Sequence, residues 1–358
     1  VRAARPLDEE DWARYADDLR ELLTLLEAGR AEEAHGALAR RVALAARGPA
    51  PERALAPLEI AIRNDLDPAH TVLAIEGPDT PGFLYALANA LSVAGYHIAR
   101  VAVETVGARA RDTLHISDAS GRKVEGSGPE RELRAAVVLV KHFTHLLPAS
   151  PDPQRALSHL RGFLGRLWTE DDWPDRLASV DRPEVLTALS RLLGVSDSLW
   201  EDLLRLQYDN LFPVLANVES LARRRPQETL EQELRALLDG APDPAAARER
   251  LNAFKDREMF RVDMRHIQGH MAEFGEFSAE LGDVVEVVLT GALRLAYEAV
   301  GPAGGEARAP LALFGLGKLG GRELGYASDV ELLFVYDAQG ADAAAFHDRL
   351  VSAFLGTL

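Results

Sequence analysis

Cysteine is absent from the 358 residues, which excludes disulfides and cysteine-ligated zinc and fits a reducing cytosol. No apolar run approaches the roughly 18 to 20 residues that a membrane-spanning helix needs, and no basic-then-apolar leader is legible, so no membrane partner is expected. Positive charge is the minority: 40 Lys and Arg stand against 56 Asp and Glu, and the net charge of −16 disfavours a nucleic-acid partner, whose phosphates need clustered cations. The one dense basic run, Arg223 to Arg225, is followed by acidic residues and reads as a solvated helix end. No nucleophile with a positioned base and no repeat of solenoid period is present. Two histidine pairs, His266 with His270 and His142 with His145, lack a third metal ligand and read as solvated helix histidines. What remains is a chain with 47% hydrophobic residues, enough for two or three cores in a cytoplasmic globular protein.

Helical periodicity opens the chain. Trp12, Tyr15, Leu19, Leu22 and Leu26 fall on one stripe, and a second helix is expected to stop at Gly48-Pro49 before a Pro-rich linker. Strands then alternate with helices. His70 to Glu76 reads as a strand, and Thr80 as the N-cap of a helix with Pro81 at its first position and Gly95 as its stop. Strands over Tyr96 to Thr105 and Ala110 to Ser117, a turn at Asp118 to Gly121 and a helix from Pro129 to about Leu147 complete the unit. From about 150 to 300 amphipathic helices follow one another, with Leu157, Leu160, Leu164 and Leu167 on one stripe and Pro183 to Leu193 stopped by Gly194.

The stretch from Leu311 to Tyr336 carries the chemistry: a strand, a glycine-rich turn, and a second strand over Val330 to Tyr336 led by two acids. Side chains two apart on a strand share a face, so Asp329 and Glu331 are expected to point into one space. Such a pair is tolerated around a divalent cation, and hard oxygen donors suit Mg²⁺ (or Mn²⁺) carried by a nucleoside triphosphate. Gly320-Gly321 lets backbone approach a phosphate, with Lys318 and Arg322 flanking it. Gly315-x-Gly317-x-x-Gly320 also matches the dinucleotide fingerprint, with Asp337 at the distance of a ribose-binding acid. That reading needs a crossover helix of several turns, for which Gly321 to Ser328 is too short. A Walker A loop fails because Lys318 precedes the glycine pair. An exposed strand start with solvated acids leaves the glycine pair unexplained.

With Gly320-Gly321 followed by Asp329-x-Glu331, the chain resembles the polymerase-β-like nucleotidyltransferases. The longer string from Gly315 through Ser328, Asp329, Glu331 and Leu332 looks like the glutamine synthetase adenylyltransferase branch. The resemblance implies that Asp329 and Glu331 are catalytic metal ligands, and that Gly320, Gly321, Lys318, Arg322 and Ser328 bind nucleotide. ATP would be the substrate, with AMP transferred to a protein hydroxyl, most simply on glutamine synthetase. Glu331 departs from the family's usual Asp. The family's third carboxylate would lie beyond Leu358, since nothing like it follows Tyr336. The chain, which opens on Val1 and ends in a helix bearing Phe346, Leu350 and Phe354, is accordingly expected to be a catalytically incomplete part of a longer protein. Residues 251–269 resemble the helix before the catalytic sheet in that family, with Arg257, Glu258, Arg261 and Arg265 at its polar positions and His266 where an acid is expected.

The strand-helix-strand-strand-helix order of residues 69–145 resembles the ACT domain, closest to those of the PII-uridylylating enzymes, including the phrase from Asp118 to Lys123. This implies an effector site at Asp79, Thr80, Gly82 and Phe83, for an amino acid such as glutamine, and pairing of ACT units in a homodimer. The helix N-terminus there favours a carboxylate, although capping alone also accounts for these residues. The expected fold is α+β and mostly helical: an N-terminal helical segment and linker (1–68), an ACT-like domain (69–148), a helical domain (149–303) and the N-terminal part of a nucleotidyltransferase domain (304–358). The alternatives are a uridylyltransferase acting on a PII-type protein, and a non-catalytic amino-acid-binding module.

Overall fold

A computed structural model describes residues 8–46, 58–107, 109–170, 173, 183–202, 208–301, 311–326, 328–336 and 341–358. Gly48-Pro49, the linker through Pro57, and Asp337 lie outside them. The described chain is mostly helical with two antiparallel sheets, in line with the α+β, mostly helical fold expected from sequence. It divides into two compact units, Val1–Leu204 and Arg205–Leu358. The fourfold division expected from sequence is finer than this twofold one.

In the first unit, α1 (Glu9–Glu27) starts at a reciprocal cap in which Asp8 accepts from the Asp11 amide and the Asp11 carboxylate accepts from the Asp8 amide. Most of its stripe faces solvent: Trp12, Tyr15, Leu19 and Leu26 are exposed, and Leu22 is half-buried. Helix α2 (Ala31–Ala45) buries Ala34, Ala37, Ala39 and Ala43. The sheet then has four strands, β1 (Glu59–Arg63), β2 (Thr71–Pro78), β3 (His97–Val106) and β4 (Arg109–Ser117), in the order β1-β2-β4-β3 with every pair antiparallel. Strand β1 falls where the sequence reads as linker. Its five residues are too few for a convincing period, and it becomes a strand by pairing Ile60 with Ile75 and Ile62 with Leu73.

Helices α3 (Phe83–Val93) and α4 (Ser127–Leu146) supply buried apolar faces beside those of the sheet (Leu73, Ile75, Leu114 and Ile116). His142 is buried on α4, not solvated, and His145 is half-buried. Helix α5 (Pro153–Leu167) starts at an Asp152 cap and buries Leu157, Leu160, Leu164 and Leu167 as the periodicity predicts. It is followed by α6 (Pro183–Leu193) and the short α7 (Asp197–Asp202).

The second unit comprises α8 (Tyr208–Ala216), α9 (Gln227–Asp239), α10 (Pro244–Ile267), α11 (Phe274–Val300), β5 (Leu311–Leu316), the single turn α12 (Gly317–Gly320), β6 (Glu331–Tyr336) and α13 (Ala341–Leu355). Its core runs from Leu230 and Leu234 on α9 through Leu251 and Phe254 on α10 to Phe277, Val284 and Val288 on α11. Gly291 permits this closeness, because a Cβ there would sit 2.8 Å from Leu234 Cδ2. The predicted stripe Phe346, Leu350 and Phe354 on α13 joins the same core, and Phe354 meets Phe334 of β6 edge-on at 5.3 Å. Leu332 and Phe334 of β6 therefore pack inward, as do Leu311 and Leu313 of β5. Phe314, Leu316, Leu333 and Val335 stand exposed on the opposite face.

Candidate active site

Strands β5 and β6 pair antiparallel, from Leu311 opposite Tyr336 to Leu316 opposite Glu331. A dinucleotide unit joins parallel strands, so this pairing removes that reading of the glycine pattern. The register brings the end of β5 level with the start of β6 and places the glycine turn beside Glu331. A Cβ on Gly317, whose φ is 52°, would lie 2.4 Å from Glu331 Oε2, so the carboxylate rests directly against bare backbone. Gly320 is a second close approach, since a Cβ there would be 2.6 Å from the Gly315 carbonyl oxygen.

The strained residue of the turn is not one of the Gly320-Gly321 pair. Glycine is the residue that reaches positive φ cheaply, yet in the segment after β5 it is Arg322, at 55°, that joins Gly317 there. The Arg322 amide donates to the Leu319 carbonyl (3.1 Å) and the Glu323 amide to that of Lys318 (2.8 Å), a Schellman closure of α12 with arginine in glycine's usual place. The Gly321 amide donates to Gly317 O at 3.0 Å and is therefore engaged within the turn. The Arg322 guanidinium reaches Glu286 Oε1 at 2.8 Å and Asp283 Oδ1 at 3.5 Å, both on α11. Its side chain thus anchors the turn to α11 in this arrangement, while the Lys318 side chain is exposed.

The segment that delivers the acids is held at three points. Ser278 Oγ on α11 donates to the Leu324 carbonyl at 2.7 Å, and the Gly325 amide donates to Ser328 Oγ at 2.9 Å. Tyr326 Oη and His266 Nδ1 share a 2.6 Å hydrogen bond, with Phe277 packed at a tilt against both rings. His266 is thus half-buried among aromatics and not solvated, and α10 ends at Ile267, so no helical pair with His270 forms. Burial lowers the His266 pKa and favours the neutral ring, while it raises that of Tyr326, with Asp263 adding to the rise. Asp329 lies two residues before β6, outside its ladder, so strand alternation alone does not fix its direction; both acids are exposed.

Asp263 keeps some exposure as a residue, yet the protein around its carboxyl pushes the pKa up from 3.8 to about 8. Between about pH 4 and 8 the unfolded chain has released this proton and the folded chain holds it. The unfolded state then binds fewer protons, so stability from this group is full below pH 4 and is lost as pH rises towards 8. Urea titrations across that range are expected to show the loss in the wild type and a flatter profile in Asp263→Asn; parallel profiles would contradict the assignment.

Behind the turn lies a buried ionic network. Glu258 accepts from Arg225 (2.7 Å), Arg257 (3.1 Å) and Arg261 (2.8 Å), and Glu280 accepts from Arg261 (2.9 Å) and Arg265 (3.0 Å). Arg225 is therefore a half-buried partner of the network and not a solvated helix end. Asp283 pairs with Arg224, the neighbour of Arg225 in sequence, and with Arg322 of the turn.

The expected effector junction in the first unit is more closed than the sequence suggests. Thr80 is not the N-cap: its hydroxyl donates to Pro78 O at 3.2 Å, and Gly82, at φ 83°, takes the cap. The helix starts two residues later than expected because the Phe83 amide is turned back onto the Thr80 carbonyl (3.2 Å). A Cβ on Gly82 would be 2.8 Å from Val42 of α2, so that helix covers the turn. Phe83 is buried under Lys141 Nζ, 3.9 Å above its ring, whereas Asp79 is exposed. Burial lowers the Lys141 pKa and raises that of Asp112, both groups being enclosed by the sheet and α4. A cleft of about 910 Å³ lies instead at the other end of α3, lined by Gly95, Tyr96, Asp118 and Lys123.

Residues 145–354 match the family model described as glutamate-ammonia ligase adenylyltransferase. Three curated proteins described as bifunctional glutamine synthetase adenylyltransferase/adenylyl-removing enzyme are similar. One from Mycobacterium tuberculosis is 31% identical over 60% of this chain and 21% of its own length. One from Shewanella loihica is 29% identical over 47% and 18%, and one from Neisseria meningitidis serogroup B is 27% identical over 69% and 26%. The chain thus spans about a quarter or less of the length of these relatives. No solved structure matches it.

Proposed function

The chain belongs to the glutamate-ammonia ligase adenylyltransferase family, and from that premise we propose that the protein transfers AMP from ATP to a hydroxyl of glutamine synthetase. The observation that carries this reading is the Glu331 carboxylate lying against the backbone of Gly317 at the end of paired strands. Two exposed carboxylates beside unobstructed backbone fit Mg²⁺ or Mn²⁺, which takes one or two carboxylates and fills its remaining positions with water and phosphate oxygens. Asp329 and Glu331 would hold it. When bound, the ion would neutralise triphosphate charge and orient the α-phosphate for in-line attack.

The chain's own residues position the nucleotide. Gly317 lets the Glu331 carboxylate lie against the turn, Gly320 lets the turn close on Gly315, and exposed Lys318 offers the triphosphate a cation. Arg322 contributes by fixing the turn through Glu286 and Asp283, and Ser328 by closing the loop that presents Asp329. In this proposal residues 304–358 are the N-terminal part of the nucleotidyltransferase domain. The β2-α3-β3-β4-α4 order supports an ACT-like unit that senses an amino acid such as glutamine and pairs with a second copy. No described helix is long and apolar enough to cross a membrane, in keeping with the proposed cytoplasmic location.

The test is incubation of the full-length protein with glutamine synthetase and labelled ATP or UTP. Label from ATP on a glutamine synthetase hydroxyl is expected. Transfer from UTP to a PII-type protein, or no transfer with either nucleotide, would overturn the proposal.

A further inference from the structure

Asp67, His70 and His115 meet in the first unit, on residues that the proposed transferase chemistry does not use. Asp67 lies in the tight connection before β2, His70 immediately precedes that strand, and His115 stands on β4. Strand β4 lies between β2 and β3 and is one of the two inner strands of the sheet. The connection and the strand are 48 residues apart in sequence, yet Asp67 Oδ2 is 2.7 Å from His115 Nδ1, and Asp67 Oδ1 is 3.3 Å from His70 Nδ1. One ligand atom from each residue lies within 4.8 Å of the other two. All three side chains are partly buried, at 19% exposure for Asp67, 31% for His70 and 21% for His115.

We propose that these three residues form a site for a first-row divalent ion, zinc above all, bound through two imidazole nitrogens and one carboxylate. The donor set fits: zinc takes imidazole nitrogen and carboxylate oxygen at about 2.0–2.2 Å, which puts tetrahedral ligand atoms about 3.3 Å apart. Of the three separations, Asp67 Oδ1 to His70 Nδ1 already has that value, Asp67 Oδ2 to His115 Nδ1 needs an opening of about half an ångström or a shared carboxylate, and the two imidazoles offer nitrogens within 4.8 Å of each other. Softer metals would call for thiolate, which this chain lacks altogether.

The carboxylate is also oriented from behind. Asp67 Oδ1 accepts the amides of Ala69 (2.8 Å) and His70 (2.9 Å), an arrangement that holds the group ionised far below the usual carboxylate range and fixes its direction. Three protein ligands leave a fourth position for water or an incoming group. Pro68 and Ala69, next in sequence, line the cleft of about 910 Å³ that ends at Asp118 and Lys123. A metal here would pin the connection before β2 to β4 and so set one wall of that cleft.

The experiment is calorimetric titration of Zn²⁺ into the full chain, run in parallel with Co²⁺ absorption. His70→Ala, His115→Ala and the double variant are compared with the wild type, and circular dichroism confirms that each is folded. The wild type is expected to bind one more Zn²⁺ than the double variant, to show tetrahedral Co²⁺ bands that the double variant lacks, and to lose at least about tenfold in affinity in either single variant. Equal stoichiometry and unchanged Co²⁺ spectra across folded wild type and variants would overturn the site. If His115→Ala fails to fold, His70→Ala, whose side chain is the most exposed of the three, carries the comparison.

Discussion

Truncating Glu280 to alanine is expected to destabilise the second unit by about 3–5 kcal/mol, the range for removing one partner from a buried ion pair. Glu280 is 1% exposed and accepts from two guanidiniums, Arg261 at 2.9 Å and Arg265 at 3.0 Å, both themselves buried. Its loss would leave Arg265 with the Leu221 carbonyl and Arg261 with Glu258. Arg261 Nη1 already has no hydrogen-bond partner, and Arg265 would trade its carboxylate for a carbonyl alone. The cost is that of stranding cations, not of losing attraction. Glu280→Gln, which keeps the shape and one acceptor, should therefore recover part of the loss. Glu286, exposed and paired with Arg322, serves as the control, because exposed pairs contribute about 0–1 kcal/mol. Urea unfolding of the three variants checks the ranking. A Glu280→Ala loss no larger than that of Glu286→Ala would show that the network is hydrated and not enclosed.

The second large effect concerns rate. Asp329→Ala or Glu331→Ala in the full-length protein is expected to lower AMP transfer by at least about 10³-fold, from the several kcal/mol that a correctly held metal ion contributes to the transition state. Both residues are exposed, so neither change should shift the unfolding midpoint appreciably. That contrast separates the two predictions: Glu280 acts on stability, whereas Asp329 and Glu331 act on chemistry. Near-wild-type transfer by folded Asp329→Ala would remove the metal assignment.

Much of this arrangement is legible in the residues, and the parts that are not share a physical cause. The β5 and β6 runs, the glycine turn and the α13 stripe follow from local pattern, because period and turn chemistry act over a few neighbours. The residue that takes positive φ at the end of the turn is not legible from local pattern. Gly320-Gly321 offers the cheaper choice, but helix closure falls one position later and forces Arg322 into it. Strand β1 is not legible locally because it becomes a strand through pairing with β2, a contact no five-residue window contains. The same holds for His266, which reads as solvated on its own helix and is enclosed by Tyr326, 60 residues later. Arg225 likewise reads as a surface cation until Glu258, 33 residues on, is brought beside it. Where a partner's identity decides a side chain's role and that partner is distant in sequence, the chain alone leaves the role open.

The central claim, that the acids leading β6 and the glycine turn form one metal-nucleotide site, is tested most directly by replacing Mg²⁺ with Fe²⁺ and mapping ascorbate-driven backbone cleavage in the full-length protein bound to ATP. Cuts are predicted within both Gly317–Gly320 and the residues leading into Glu331, dependent on ATP and abolished together by Asp329→Ala. Cleavage confined to one of these segments, or persisting unchanged in the variant, would contradict the account.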